Sequence, residues 1–140
     1  MREFICKSEE ETEALGEQLG RSAKAGEVYA LEGDLGAGKT AFTRGFARGV
    51  GFGGRVTSPT FAIVGEYLGG RLDLFHFDLY RRGSSDELFD IGWEEYLGRG
   101  GVCVVEWAQR CADAFDSDTI WVRFEKLSDD ERKITLECDR

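Results

Sequence analysis

Gly33-Asp34-Leu35-Gly36-Ala37-Gly38-Lys39-Thr40 satisfies G-x-x-x-x-G-K-[ST], the pattern of a phosphate-binding loop. Its glycines let backbone N–H groups turn inward around α- and β-phosphates. A lysine at this position reaches the β/γ oxygens, and the hydroxyl after it can ligate Mg²⁺. The pattern carries this meaning only between a strand and a helix. Glu27 to Glu32 reads as that strand, and Phe42, Phe46, Ala47 and Val50 recur behind the loop at helical spacing. A helix starting at the loop sets the positive end of its dipole against the triphosphate. An ordinary glycine-rich turn is the competing reading. A second fingerprint lies inside the first, since Gly36-Ala37-Gly38-Lys39-Thr40-Ala41 also fits G-x-G-x-x-A. A dinucleotide site needs an acid about 20 residues on for the ribose. The segment there, Val56-Thr57-Ser58-Pro59-Thr60, has none.

Outward from the loop, Ser8-Glu9-Glu10-Glu11 has the form of a capping box, with Leu15 and Leu19 following at helical spacing. A helix from about Glu9 to Lys24, ending at Gly26, is expected. Residues 61–67 and 71–80 have strand composition and flank Gly69-Gly70, a hairpin signal. Ser84 to Leu97 reads as helical, with Leu88, Ile91 and Trp93 as candidate core contacts. Val102-Cys103-Val104-Val105 is a continuous apolar run suited to a strand buried on both faces. Thr119–Glu125 and Lys133–Cys138 read as two strands joined by a polar turn. The order predicts one α/β domain over residues 1–140: a P-loop NTPase, three-layer α/β/α, with a mixed parallel and antiparallel central sheet.

Composition narrows the partners. The chain has 140 residues, 18 basic and 27 acidic, for a formal charge of −9. Neutralising nucleic-acid phosphates takes a basic face. Arg44 with Arg48, and Arg81 with Arg82, are the local candidates, and solvated surface charge is the stronger reading for each. No stretch approaches the roughly 18–20 apolar residues of a membrane span. The start lacks a signal peptide's apolar region. Cys6, Cys103, Cys111 and Cys138 have no metal-ligand spacing and fit a reduced, cytoplasmic set.

Hydrolysis at a P-loop needs a further acid at the end of a neighbouring buried strand. Glu106 follows the run 102–105, and Asp78 ends the apolar Phe75-His76-Phe77 stretch. Asp73 and Asp90 lack that context and read as surface charge. Pro59, the sole proline, makes the segment around Ser58 a loop displaying the hydroxyls of Thr57, Ser58 and Thr60. Such hydroxyls can sense a γ-phosphate, or simply make a turn. His76, the sole histidine, reads as a hydrogen-bonded structural group before it reads as a catalyst. Trp107 is expected to pack near the site, and Lys39 to face solvent over the phosphates.

Taken in order, the loop, Ser58-Pro59-Thr60-Phe61, His76-Phe77-Asp78-Leu79-Tyr80-Arg81 and Glu106-Trp107 resemble one family. It is that of the small bacterial ATPase TsaE, also called YjeE, of tRNA threonylcarbamoyladenosine biosynthesis. The resemblance covers about the first 110 residues. Family members often carry proline after the Glu-Trp pair, where this chain has Ala108. The resemblance implies ATP and Mg²⁺ as ligands, and a hydrolysis that is slow alone and serves repeated rounds of modification. It implies TsaB and TsaD as partners, with tRNA met only through them. The nucleotide-binding set would be Asp34, Leu35, Gly36, Ala37, Gly38, Lys39, Thr40 and Ala41. Lys39, Asp78 and Glu106 would be catalytic, Thr40 and Glu106 would hold the metal, and Thr57, Ser58 and Thr60 would form a switch. Two other classes compete. A small-molecule kinase on this fold needs a lid, for which the chain has little room. A nucleotide-dependent binding module would lack useful turnover. A GTPase is the weaker reading, since a chain without asparagine cannot form the guanine-reading N-K-x-D motif.

Overall fold

A computed structural model describes residues 2–34, 37–54, 56, 64–79 and 85–137. Among these residues seven strands form one sheet in the order β1-β7-β6-β2-β5-β4-β3. They are β1 (Arg2–Cys6), β2 (Val28–Glu32), β3 (Val64–Tyr67), β4 (Leu74–Asp78), β5 (Val102–Glu106), β6 (Ile120–Lys126) and β7 (Arg132–Glu137). The inner strands β6, β2, β5 and β4 run parallel, while β7, β1 and β3 pair antiparallel at the flanks. The mixed α/β sheet read from the sequence is thus observed, with β5 between β2 and β4 and all five of its residues buried.

Alternation along the strands divides the interior. Tyr29, Leu31, Leu74, Val102, Val104 and Val122 face α1 (Glu9–Ser22) and α2 (Lys39–Gly49), whose Leu15, Leu19, Phe42 and Phe46 complete that core. Ala30, Phe75, Phe77, Cys103 and Val105 face the opposite layer. That layer comprises α3 (Ser85–Asp90), α4 (Trp93–Leu97) and a 3₁₀ segment (Ala108–Ala114), contributing Leu88, Trp93, Ala108 and Cys111. Burial raises the Cys103 thiol to about 12, so it is inert packing.

The Ser8 cap is present: Ser8 Oγ accepts the Glu11 N–H at 3.2 Å, while Glu11 accepts the N–H of Lys7, the residue before the cap, at 2.9 Å. Helix α1 stops at Ser22, short of the expected Lys24, and the chain then turns through Gly26 at φ 88°. The stretch expected to be helical up to Leu97 is helical from Ser85, in two helices separated at Gly92 with φ 94°. Periodicity carried across that glycine, but its left-handed backbone does not continue a helix.

Helices α1 and α2 touch backbone to backbone. A Cβ on Gly16 would fall 2.1 Å from the Phe42 carbonyl oxygen, and one on Gly45 would fall 1.8 Å from that of Glu13. Gly20 and Gly49 meet the same helix pair equally closely. This crossing brings the first turn of α1 beside the start of α2. The spacing Gly16/Gly20 and Gly45/Gly49, small residues four apart on each helix, is the sequence signal for it.

Candidate nucleotide site

Strand β2 delivers the chain to the carboxyl edge of the sheet, where the loop begins. The Ala37 N–H donates to the Asp34 carbonyl at 3.1 Å. Gly38 then turns at φ 99°, and α2 starts at Lys39. A side chain at Gly38 would be strained there. The turn is held by the Phe42 N–H on the Gly38 carbonyl at 3.0 Å and by Thr43 Oγ1 on the Lys39 carbonyl at 2.9 Å. Leu35 and Gly36 lie outside the described residues, as do Thr57, Ser58 and Thr60 of the expected switch. Arg81 and Arg82 lie outside them too.

Lys39 is buried, at 5% exposure, contrary to the solvent-facing placement expected from sequence. Its ammonium donates to the carbonyls of Gly33 and Asp34 and sits 3.6 Å over the indole of Trp107. Burial lowers its pKa below the ordinary lysine value, opposed by the charges of Glu106, Asp34 and Asp78. The reason for the difference lies in the backbone of Trp107. At φ 62° it is the only non-glycine residue with positive φ among the described residues, and this turn aims its ring back across the loop. Trp107 is packed at the site, as read.

Glu106 ends β5 and Asp78 ends β4, directly opposite each other in the parallel register. Both line the cavity that contains Lys39 and Thr40. Glu106 is 3% exposed, and its Oε2 lies 2.5 Å from His76 Nε2. His76 is fully buried and hydrogen-bonded, as its structural reading requires.

The cavity is about 390 Å³, a volume that suits a small ligand. Ala37, Gly38, Lys39, Thr40 and Ala41 form its floor, with Asp78, Glu106 and Trp107 on one side. Glu9 and Thr12 of α1, Arg44 of α2, and Asp129, Asp130 and Arg132 close the other side. The sequence reading missed this second wall. Thr12 and Arg132 both approach Gly38: a Cβ there would lie 3.5 Å from Thr12 Cγ2 and 3.9 Å from Arg132 Cγ. Arg132 Nη1 donates to the carbonyls of Ser128 at 2.8 Å and Glu131 at 2.9 Å, fixing the β6–β7 turn. That turn reaches the site only because β6 runs parallel to β2, a pairing no local pattern announces.

Among the described residues no three acidic, histidine or cysteine side chains cluster as a metal cage. Mg²⁺ needs no such cage, since it keeps waters and takes one or two protein oxygens together with substrate phosphates. Thr40 and Glu106, facing one cavity, are a donor set of that kind.

Strand, glycine turn, lysine-headed helix and strand-end carboxylates on one sheet edge define a protein of the P-loop NTPase fold class. Within that class the chain belongs to the TsaE family, described as "Threonylcarbamoyl adenosine biosynthesis protein TsaE", whose pattern it matches over residues 6–134. It is similar to the tRNA threonylcarbamoyladenosine biosynthesis protein TsaE of Bacillus subtilis, at 47% identity over 91% of this chain and 79% of that protein. The protein of the same name from Treponema pallidum is 40% identical, over 94% and 97% of the two chains. A crystal structure of Bacillus subtilis YdiB superposes with a TM-score of 0.82 at 38% identity, covering 99% of this chain and 86% of that one.

Proposed function

We propose that this chain is a Mg²⁺-dependent ATP hydrolase that serves tRNA threonylcarbamoyladenosine modification in the cytoplasm, acting on TsaB and TsaD. Family membership supports the pathway. The observation that carries the chemistry is the convergence of Lys39 and Thr40 with Glu106 and Asp78, two carboxylates in register on adjacent parallel strands.

In this reading the residues around Gly38 wrap the phosphates, and the Lys39 ammonium moves from the loop carbonyls onto the β/γ oxygens. A dipole and a buried cation already directed at one cavity need little reorganisation to stabilise charge there. Thr40 and Glu106 would hold Mg²⁺, which supplies charge neutralisation on the phosphates when bound. Asp78, half-buried beside Glu106, orients the attacking water or supports the metal's water shell. The loop of Thr57, Ser58 and Thr60 reports the γ-phosphate to the partners. Turnover resets the complex and does not itself transfer the threonylcarbamoyl group.

The test is phosphate release from ATP by the purified chain, alone and with TsaB and TsaD. Weak release alone and a several-fold rise with both partners are expected. Tight ATP binding with no release under either condition would make the chain a nucleotide-dependent binding module.

A further inference from the structure

His76 has no part in the hydrolysis described above, yet it is among the most completely enclosed side chains of the protein. It is fully buried on β4, opposite Val104, and it lies on the same sheet face as Leu74 and Asp78. Its Nε2 meets Glu106 Oε2 at 2.5 Å, while its Nδ1 is buried without a hydrogen-bond partner among the described residues. As an ionised metal ligand Glu106 could only accept, and the pairing then takes its proton from Nε2.

A ring that served only to fill space would carry these features at a loss. Leu74, two residues earlier on the same face, shows that an apolar side chain fits this layer of the core. A buried nitrogen without a partner costs free energy that leucine avoids. The compensating contact is the one to Glu106. Of the two carboxylate oxygens, one is tied to the ring, which leaves the other for the cavity. Without the tie, a carboxylate that already feels the Lys39 charge is free to pivot onto that ammonium.

We propose that His76 is a positioning residue: it holds Glu106 in the rotamer that presents one oxygen to a divalent cation, and so sets the site's affinity for that cation. The proposal rests on the reading of Glu106 as a Mg²⁺ ligand. Partners of ligating side chains commonly contribute 10- to 100-fold in metal affinity.

The experiment is calorimetric titration of ADP into the full chain, at a series of Mg²⁺ concentrations and in EDTA. The variants are His76→Leu, His76→Gln and His76→Asn, with melting curves to establish folding. Glutamine can present an amide N–H where Nε2 stands, whereas the shorter asparagine cannot reach it. Leucine keeps the volume and loses the donor. His76→Leu and His76→Asn should need at least about tenfold more Mg²⁺ for half-maximal enhancement of ADP binding. His76→Gln should stay near wild type, and ADP affinity in EDTA should be the same in all four proteins. Should His76→Leu fail to fold, the contrast between glutamine and asparagine still decides. Equal Mg²⁺ dependence in glutamine and asparagine variants would overturn the proposal and leave the ring as packing. A wild type that binds ADP with no Mg²⁺ dependence would overturn both the proposal and the metal reading beneath it. A wild type that binds Mg²⁺ and ADP normally, with unaffected variants, would overturn the proposal alone.

Discussion

The most consequential single residue is Lys39, because the side chain proposed to meet the phosphates is buried. A lysine whose pKa is lowered by burial costs stability in its charged form. That cost is present at neutral pH and is relieved as pH rises through the lowered pKa toward the ordinary value of 10.5. Lys39→Met keeps the stem against Trp107 and removes the charge. Without nucleotide the variant should melt no lower than wild type at pH 7. Wild type should gain on it as pH rises toward 10, while stabilisation by ATP disappears in the variant. Differential scanning at pH 7 and pH 10, with and without nucleotide, reads all three. A clear loss of apo stability at pH 7 would mean that the two carbonyl hydrogen bonds outweigh desolvation. Thr40 and Glu106 give a second residue-level expectation. If both hold one ion, loss of either disrupts the same coordination sphere. ATPase rates of Thr40→Ala, Glu106→Ala and the double variant should therefore be non-additive as free energies. Full additivity would assign the two to separate tasks.

At the scale of elements, the crossing of α1 over α2 fixes the relation between Thr12 and the loop. Gly45→Ala must push Glu13's backbone away, since the added carbon would fall 1.8 Å from its carbonyl oxygen. Overpacking of this kind costs about 1–3 kcal/mol. Gly53→Ala, with nothing within 4 Å of its Cβ, is the control and should be neutral. Urea unfolding of both variants checks the pair, and equal midpoints would mean the helices separate easily. On the other side of the molecule, Glu66 of β3 accepts from the Tyr96 hydroxyl at 2.8 Å and from Arg99 at 3.2 Å, tying the edge hairpin to α4. Tyr96, then Arg99, lower the Glu66 pKa. Its contribution is therefore present above the ordinary carboxylate range and is lost as pH falls through the lowered value. A pair this exposed is weakened by solvent screening, so the effect is small. Glu66→Gln should melt slightly below wild type at pH 7 and converge with it as pH falls through the lowered Glu66 pKa.

What the sequence disclosed at this scale follows from where information sits along a chain. The loop, its strand and its helix are contiguous, so their pattern survives in one dimension. So does β5, whose burial on both faces leaves an unbroken apolar run. The edge strand β1 has only one buried residue of five and no such signature. The wall formed by Thr12 and Arg132 is assembled from residues 120 apart in sequence order, joined by the parallel pairing of β6 with β2. Burial of Lys39 depends on one unusual φ at Trp107, which composition does not encode.

For the molecule as a whole, charge decides what it can hold unaided. Acidic residues outnumber basic ones 27 to 18, and the basic candidates on α2 are already engaged. Arg44 meets Glu9 at 2.5 Å and Glu13 at 3.2 Å, and Arg48 meets Glu13 at 2.9 Å, so the helix pair presents a neutralised ladder in place of a basic face. Lys133 is occupied by Glu3 at 3.4 Å, and Arg99 by Glu66. Binding RNA through these groups would mean breaking such pairs and approaching a net negative surface, with the remaining attraction screened within about 8 Å at physiological salt. The isolated chain should therefore show no saturable binding of tRNA in anisotropy titrations at physiological salt, with or without ATP. Adding TsaB and TsaD should bring the chain into a tRNA-containing complex in an ATP-dependent manner, while the salt dependence of tRNA binding follows the partners. Saturable tRNA binding by the chain alone, abolished by Arg44→Ala or Arg48→Ala, would show that the ladder opens to RNA and would move this protein from the energetic to the recognition side of the modification machinery.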